Sequence, residues 1–534
     1  MQSEHEGIVL SSQEIGALIW SSKYRMRDAR GNVEGSIEET FARVANALSM
    51  NEAPHARSAW ARAFLRCMTS FEFLPAGRVL RNAGRDDAVT MVSTFAMPAL
   101  TASNWLGTAK TALRTMVSGG GIGLNFQAEG EQRRLRRDLD FWQSIAATAM
   151  ASSEGRAAMI GLVPADHPEV KEFVNAKRQI GDLNQFNLSV LISQETLERD
   201  DELISSICES IVDTGEPGVL FIDNIVASDN LRGIEEIVGT NSCCEQPLPA
   251  FGSSPLGSVN LAKFVKNPFT LEARMDLERL GSVVCTAVRM LDNIIELERY
   301  PTQRQASVAR STRRVGLGVM GLDDAFRMLG IEYGSEDSLS TVAALLERVR
   351  AAAYAASIEL AAERGAFPRF DARQFKSGPG GPGVDDSGVR ASFFVHGIRN
   401  GALTAIAPAG SLALLAGNVS AGIEPTYARE QKRTIRIAGA ARVYRLQPRW
   451  AELAPNGCDR ALLDGYATHI PASAHVRVVG QAQHYVDGGI SKTVNLPERA
   501  SASDVRAAIR LGHALKVKGL SFYREHCRRP PILA

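Results

Sequence analysis

The stretch Thr240-Asn241-Ser242-Cys243-Cys244-Glu245-Gln246-Pro247 sets an amide, a thiol and a carboxylate at alternate positions. Its Ser and Pro content is too high for a helix interior, so it reads as a loop tip that presents Cys243. In an extended chain, side chains alternate with period two. Asn241, Cys243 and Glu245 are therefore expected on one face and Cys244 on the other. A carboxylate next to a thiol raises the thiol's pKa. The pairing suits a thiol that gives up a hydrogen atom while the carboxylate moves a proton, and it suits a nucleophile badly. The competing reading is packing, because free cysteine is among the most buried residue types and a Cys-Cys pair fills a core well.

The loop needs a scaffold, and several stretches could supply it. Residues 1–65 read as helical: Ser36-Ile37-Glu38-Glu39 makes a capped start, and Phe41, Val44, Ala45 and Leu48 follow at helical spacing. Residues 89–97 alternate as a strand that includes Ser93 and Thr94. A glycine-rich turn at 118–126, with Gly120 at its centre, permits close approach of another backbone. Residues 399–411 read as a strand running into a Pro/Gly turn, with Ser411 as the N-cap of a helix. The backbone amides of Pro408-Ala409-Gly410-Ser411 are then candidates for binding an anion, a plain strand-turn-helix connection being the alternative. Further strands are expected at 158–163, 186–193 and 490–496, a long helix at 339–364, and a linker at 377–388.

Three features point away from the functions they suggest. Arg133, Arg134, Arg136 and Arg137 form a charge run, which is usually a solvated face and here gives little support to nucleic acid binding. His167, next to Pro168, reads as a turn residue rather than a ligand. Gly316-Leu317-Gly318-Val319-Met320-Gly321 matches the dinucleotide fingerprint GxGxxG, with Glu336 near the expected offset. That fingerprint needs an apolar strand before it, and Ala309 to Arg314 does not provide one. A nicotinamide dehydrogenase is disfavoured on that ground.

Composition sets the outer bounds. The 534 residues are 45% apolar and 22% charged with a net charge of +1, an ordinary globular balance that calls for neither nucleic acid nor a membrane as partner. The N-terminus lacks an apolar leader and no run of eighteen apolar residues occurs, so a cytoplasmic protein is expected. The seven cysteines show no CxxC and no zinc spacing, so a reducing compartment is expected and a structural metal is not.

Taken in order, the motifs resemble the catalytic subunit of ribonucleotide reductases, most closely the adenosylcobalamin-dependent class. The resemblance rests on FLPAGRVLRNAG (73–84), GGGIGLNF (119–126), DHPEVKEF (166–173), NQFNLSV (184–190), NSCCEQPL (241–248), LGSVNLAKF (256–264), RRVGLGVMGL (313–322), NGALTAIAPAGS (400–411), GIEP (422–425) and SKTVNLP (491–497). It explains the GLGVMG match as a similar helix start in that family. It implies an α/β fold: a ten-stranded α/β barrel of two five-stranded halves around a central finger loop over 66–534, preceded by the helical region 1–65. It implies that Cys243 carries a thiyl radical that takes the ribose 3′ hydrogen, that Glu245 is the base for the 3′-hydroxyl, and that Asn241 hydrogen-bonds the ribose. Ser93, Thr94, Gly120, Pro408, Ala409, Gly410 and Ser411 would bind the substrate. The implied activity is reduction of ribonucleotides to deoxyribonucleotides for DNA synthesis, with adenosylcobalamin as cofactor, a nucleotide substrate, room for a nucleotide effector, and a monomer or homodimer.

The departures from that pattern are specific. Thr94 and Ser254 stand where the family carries a redox cysteine pair, and near the end at Ala534 only Cys527 is found where a reloading pair is expected. The segment between Phe126 and Ala158 is shortened, and no amino-terminal nucleotide-binding cone is recognisable. Phe522-Tyr523 replaces the two adjacent tyrosines of members that import a radical from a second subunit, which favours adenosylcobalamin as the source. Two alternatives remain open: a redox-neutral radical enzyme on a nucleoside or nucleotide, and a non-catalytic nucleotide-binding paralogue. Retention of Asn241, Cys243 and Glu245 together argues against the second.

Overall fold

The computed structural model describes residues 8–27, 31, 33–86, 90–101, 103–127, 135–152, 158–178, 183, 186–375, 387–437, 440–455 and 465–527. Outside them lie several sequence features named above: residues 1–7, Arg133, Arg134, most of the linker at 377–388, Cys458 and the end at Ala534.

The chain is a mixed α/β protein with a helical N-terminal region. After the short strand β1 (Ile8–Leu10), helix Ser12–Ile19 starts in a capping box of Ser11 with Glu14 and passes into a π-helical turn, Trp20–Tyr24. Helix Ile37–Ser49 is capped by Ser36, whose side chain accepts from Glu39 N, and it buries Phe41, Val44, Ala45 and Leu48, the face expected from their spacing. Helix Arg57–Thr69 packs against it.

β2 (Phe73–Pro75) follows. Next come β3 (Thr94–Ala96), β4 (Gly121–Asn125), β5 (Met159–Pro164), β6 (Asn187–Ile192) and β7 (Gly218–Phe221), which run parallel side by side. Met-Ile-Gly-Leu-Val and Asn-Leu-Ser-Val-Leu-Ile read as near-continuous apolar runs because both faces of a parallel sheet are covered. Helices Trp105–Val117, Leu135–Ser152, Val170–Asn175 and Asp201–Thr214 lie in the crossovers. The strand expected at 89–97 is only Thr94–Ala96, and Ser93 lies just before it.

β8 (Gly239–Thr240) and β9 (Pro247–Leu248) form a minimal antiparallel hairpin. β10 (Leu256–Asn260) follows, then a ribbon of β11 (Val265–Lys266) and β12 (Arg274–Met275), and later β13 (Gly316–Met320). β10 pairs β2 antiparallel on one side and β13 parallel on the other. β14 (Gln431–Ile437) and β15 (Ala440–Leu446) form a hairpin, and β1 adds to β15 in parallel. β16 (Thr493–Leu496) and β17 (Gly519–Arg524) complete the large sheet, in the order β16-β17-β7-β6-β5-β4-β3 with β17 antiparallel to β7. Isolated bridges tie the edges of the sheets: Phe95 with Ser253, Leu317 with Thr404, and Ile406 with Ile490.

GLGVMG is therefore a buried strand, not a helix start. Helix Leu322–Leu329 begins only after Gly321, whose φ is +74°. The glycines serve packing: a Cβ on Gly318 would sit 2.5 Å from Ala405 O. The two arginines before it are structural as well. Arg313 pairs with Asp292 at 2.8 Å, and Arg314 with Asp229 at 3.0 Å and Glu235 at 2.6 Å. Among the described residues no helix is long and apolar enough to cross a membrane.

Candidate active site

Between β8 and β9, residues 241–246 fold into a tip that closes on itself. Asn241 N donates to Gln246 O at 3.1 Å, Gln246 N donates to Asn241 Oδ1 at 3.0 Å, and Cys244 N donates to Asn241 O at 3.1 Å. Cys244 takes a left-handed backbone, with φ +65°. This corrects the extended geometry expected from sequence, since a short connection between two paired strands must reverse the chain. Through this turn Cys243 is exposed and Cys244 half-buried, and both border one cavity, so alternation does not keep Cys244 away from it. Cys244 packs with Ile237 against Ile160, Leu162, Leu191 and Leu220, and its Sγ lies 3.7 Å from Thr240 Oγ1.

Glycines clamp the tip from two sides. On β4, a Cβ at Gly121 would lie 2.7 Å from Ser242 Oγ, and one at Gly123 would overlap Thr240 O. On the other side, Gly489 N donates to Glu245 O at 2.8 Å, and a Cβ at Gly488 would lie 2.8 Å from that same oxygen. The glycine-rich stretch at 118–126 thus permits the approach of the loop that carries Cys243.

Cys243 opens onto a cavity of about 1580 Å³. Water reaches the thiol, yet protein surrounds the cavity, and this burial, reinforced by Glu245, pushes the thiol well above its usual range. Burial likewise pushes Cys244 up to about 12. Both shifts favour the protonated thiol at neutral pH, which weighs against the nucleophile reading. Glu245 is buried, and burial raises it to about 7, the Asn241 side chain only partly offsetting this. One of its oxygens, Oε2, has no hydrogen-bond partner among the described residues. A carboxylate with these properties exchanges protons readily near neutrality.

Ser93, Pro408, Ala409, Gly410 and Ser411 line the same cavity. Ser411 is not the helix N-cap: helix Gly410–Leu415 is preceded by Ala409 in a left-handed conformation, φ +54°, and Ser411 Oγ accepts instead from Lys23 Nζ at 2.9 Å. Thr94 and Gly120 are outside the lining. The Thr94 hydroxyl donates to Ser254 O and accepts from Ser254 N at 3.1 Å, and Gly120 lies against Phe95 and Thr115. Sequence reasoning missed Lys23, Arg78, Tyr427 and Arg433 as cavity residues; Tyr523, singled out there for its place beside Phe522, lines the cavity too. Lys23 and Arg433 come from the N-terminal turn and the β14–β15 hairpin, and no local pattern marks either.

The model of the ribonucleotide reductase barrel domain matches residues 199–523, and that of the ribonucleotide reductase all-alpha domain matches residues 10–88. The chain belongs to the ribonucleotide reductase family. It is 31% identical to a vitamin B12-dependent ribonucleoside-diphosphate reductase of Mycobacterium tuberculosis, over 96% of this chain and 79% of that protein. A protein of the same description from Thermoplasma acidophilum is 27% identical over 88% of this chain and 66% of its own length. A ribonucleoside-diphosphate reductase subunit alpha of Synechocystis is 32% identical over 48% of this chain and 34% of its own length. Residues 89–198, which carry β3 to β6, fall between the two domain matches of this ribonucleotide reductase. Thr94 lies in that interval, hydrogen-bonded to Ser254, the other position at which the resemblance expects a cysteine.

Proposed function

We propose that this chain reduces ribonucleotides to deoxyribonucleotides by radical chemistry that starts at Cys243. The observation that carries the reading is the tip itself: a reachable, protonated thiol and a carboxylate poised near neutrality, held beside Asn241 and facing one large cavity. The relatives described as vitamin B12-dependent reductases support the reaction class. We read the fold as a barrel of two five-stranded halves, β3 to β7 in one and β10, β13, the 404–406 segment, β16 and β17 in the other, with 1–65 as a helical region before it. The edge bridges support this reading.

Adenosylcobalamin fits the site. Ligand pockets usually span about 300–1,000 Å³, so 1580 Å³ leaves room for a second large ligand beside a nucleotide. Tyr427, Asn495, Ser521 and Tyr523 present uncharged donors and acceptors on one wall, which suits an amide-fringed corrin. When bound, the cofactor supplies the radical. The remaining steps are assigned to the protein: Cys243 Sγ takes the 3′ hydrogen of the ribose, Glu245 takes the 3′-hydroxyl proton, and Asn241 holds the sugar. The 2′-hydroxyl then leaves as water with a proton, a two-electron non-thiol donor such as formate supplies the hydrogen at C2′ and the reducing equivalents, and Cys243 returns the hydrogen to C3′. Pro408, Ala409, Gly410 and Ser411 hold phosphate. Ser93 lines the ribose side, and Thr94 and Gly120 support it from behind. Free thiols among the described residues fit a cytoplasmic setting.

Incubating the protein with adenosylcobalamin and ribonucleoside diphosphates should yield deoxyribonucleotides, more slowly from 3′-deuterated than from unlabelled substrate. Deoxyribonucleotide formation that persists in Cys243→Ser would end the proposal. A second reading is favoured by Thr94 and Ser254, which cannot form a disulfide. Net reduction needs two electrons, and Cys243 and Cys244 are the cysteines that line the cavity among the described residues. Thioredoxin or dithiothreitol should therefore not sustain turnover, leaving a non-thiol donor or a redox-neutral reaction. Many turnovers with dithiothreitol alone, lost in Cys244→Ser, would show the thiol assignment to be mistaken.

A further inference from the structure

The β14–β15 hairpin carries a guanidinium that the mechanism leaves unused. Along β14 the side chains of Gln431, Arg433 and Ile435 share one face, and Lys432 and Thr434 are exposed on the other. Ile435 is buried, and Arg433 lines the cavity of Cys243 with it. Elsewhere this protein pairs its inward arginines with carboxylates, as in Arg289 with Glu52 at 2.7 Å and Arg314 with Glu235 at 2.6 Å. Arg433 has no ion pair among the described residues. Its Nε and one Nη donate to Gln431 Oε1, at 3.2 and 2.9 Å, so a neutral amide aims the group while several N–H donors stay unclaimed. Burial without a counter-charge lowers its pKa to about 10. A half-buried cation held in this way is costly unless an anion arrives.

The surroundings say where that anion belongs. Arg433 lies in register with Tyr444 across the hairpin, and Tyr444 with Ile8 of β1. β1 leads into helix Ser12–Ile19, which packs on helix Gly410–Leu415, and then to Lys23, whose ammonium meets Ser411 in the cavity wall. The hairpin, the N-terminal turn and the 408–411 turn all contribute to the cavity wall, and Arg433 has no carboxylate partner among the described residues. Glu424, another cavity carboxylate, is already taken by Lys492 at 2.6 Å and Thr493 N at 2.6 Å.

We infer that Arg433 takes the phosphate end of the bound nucleotide, so that the β14–β15 hairpin is a specificity element that demands a phosphorylated ribonucleoside. The inference rests on the nucleotide reading of the cavity. Its test measures equilibrium binding to the full chain of a ribonucleoside, its mono- and diphosphate, and cobalamin, whose own phosphodiester offers the same chemistry. In Arg433→Gln the diphosphate should bind about 10- to 100-fold more weakly, the scale of a lost charged hydrogen bond, with nucleoside and cobalamin affinities unchanged. Arg433→Lys should recover part of the loss, and Lys432→Gln, on the outer face, should change nothing.

Equal diphosphate affinity in wild type and Arg433→Gln would overturn the inference. An equal loss for nucleoside and diphosphate would overturn it too, as would a loss confined to cobalamin. Failure of the wild-type chain to bind any nucleotide would instead remove the functional reading beneath it.

Discussion

Glu52 and Glu245 are equally hidden from water, at 2% exposure each, yet they sit at opposite ends of the protonation scale. Burial works against the charge on Glu52, but Arg289, Asn293 and Arg364, at 2.5 to 2.9 Å, outweigh it and hold the carboxyl below its usual range. Glu245 has Asn241 and, among the described residues, no guanidinium, and burial carries it up to about 7. Depth therefore does not decide the charge; the partner does. The fold gives its arginines to the carboxylates that join helices Ile37–Ser49, Leu277–Leu297 and Glu336–Arg364, and withholds them from the finger loop. A site that must exchange protons is built by leaving a charge unpaired.

The comparison breaks most completely at the thiol beside Glu245. Cys243→Ser should take product formation below detection, whereas Cys244→Ser, at a side chain packed against the sheet at the cavity's edge, should leave much of it; chromatography of the nucleotide products separates the two. Next come the carboxylates themselves. Glu245→Gln should lower kcat by about 10²- to 10⁴-fold, the usual worth of a general base, with the fold intact. Glu52→Gln should do the reverse: kcat within a few-fold, and a loss of about 3–5 kcal/mol in unfolding free energy, because the paired arginines are left uncompensated. Steady-state kinetics and urea titration on both variants check the contrast.

A smaller effect sharpens it through pH. A carboxyl raised from 4.5 to about 7 binds its proton more tightly folded than unfolded, so its contribution to stability is full below pH 4.5 and is lost as pH rises through 7. The difference amounts to about 3 kcal/mol. Glu245→Gln should therefore be more stable than wild type by up to that amount at pH 8 and lose the advantage near pH 4.5, while turnover in wild type should fall as pH drops below 7. A difference of the opposite sign, with wild type gaining stability over Glu245→Gln as pH rises, would show that Glu245 is ionised like Glu52. The smallest effect is at the cavity wall. Ser411→Ala gives up one hydrogen bond to Lys23, worth about 0.5–1.5 kcal/mol, and Ser411→Pro should weaken nucleotide affinity further by also removing a backbone donor.

The chemistry was legible in the sequence because it is local: Asn241, Cys243 and Glu245 lie within five residues, and their types alone suggest hydrogen-atom and proton transfer. The helical face of Phe41, Val44 and Leu48 was legible for the same reason, since spacing along one helix fixes it. The failures are non-local. GLGVMG reads as a helix entrance until Ala405 and Leu256 are known to lie against it, which makes it a buried strand. The tip at 241–246 reads as extended until β8 and β9 are seen to pair. Ser411 reads as a cap until Lys23, 388 residues away in sequence, is seen to claim its hydroxyl. Arg433 could not be singled out, because what distinguishes it is a missing partner in space.

The hairpin that carries Cys243 has two residues in each strand, far too few to be stiff on its own. Its rigidity is borrowed, like that of a cantilever gripped between two jaws, one formed by Gly121 and Gly123 and the other by Gly488 and Gly489. Widening either jaw by a single methyl group would leave most of the protein's packing untouched, yet it would change how accurately the sulfur is aimed. The expected damage is of an unusual kind: a well-folded protein whose reactive atom wanders, and whose faults appear as misdirected chemistry instead of unfolding.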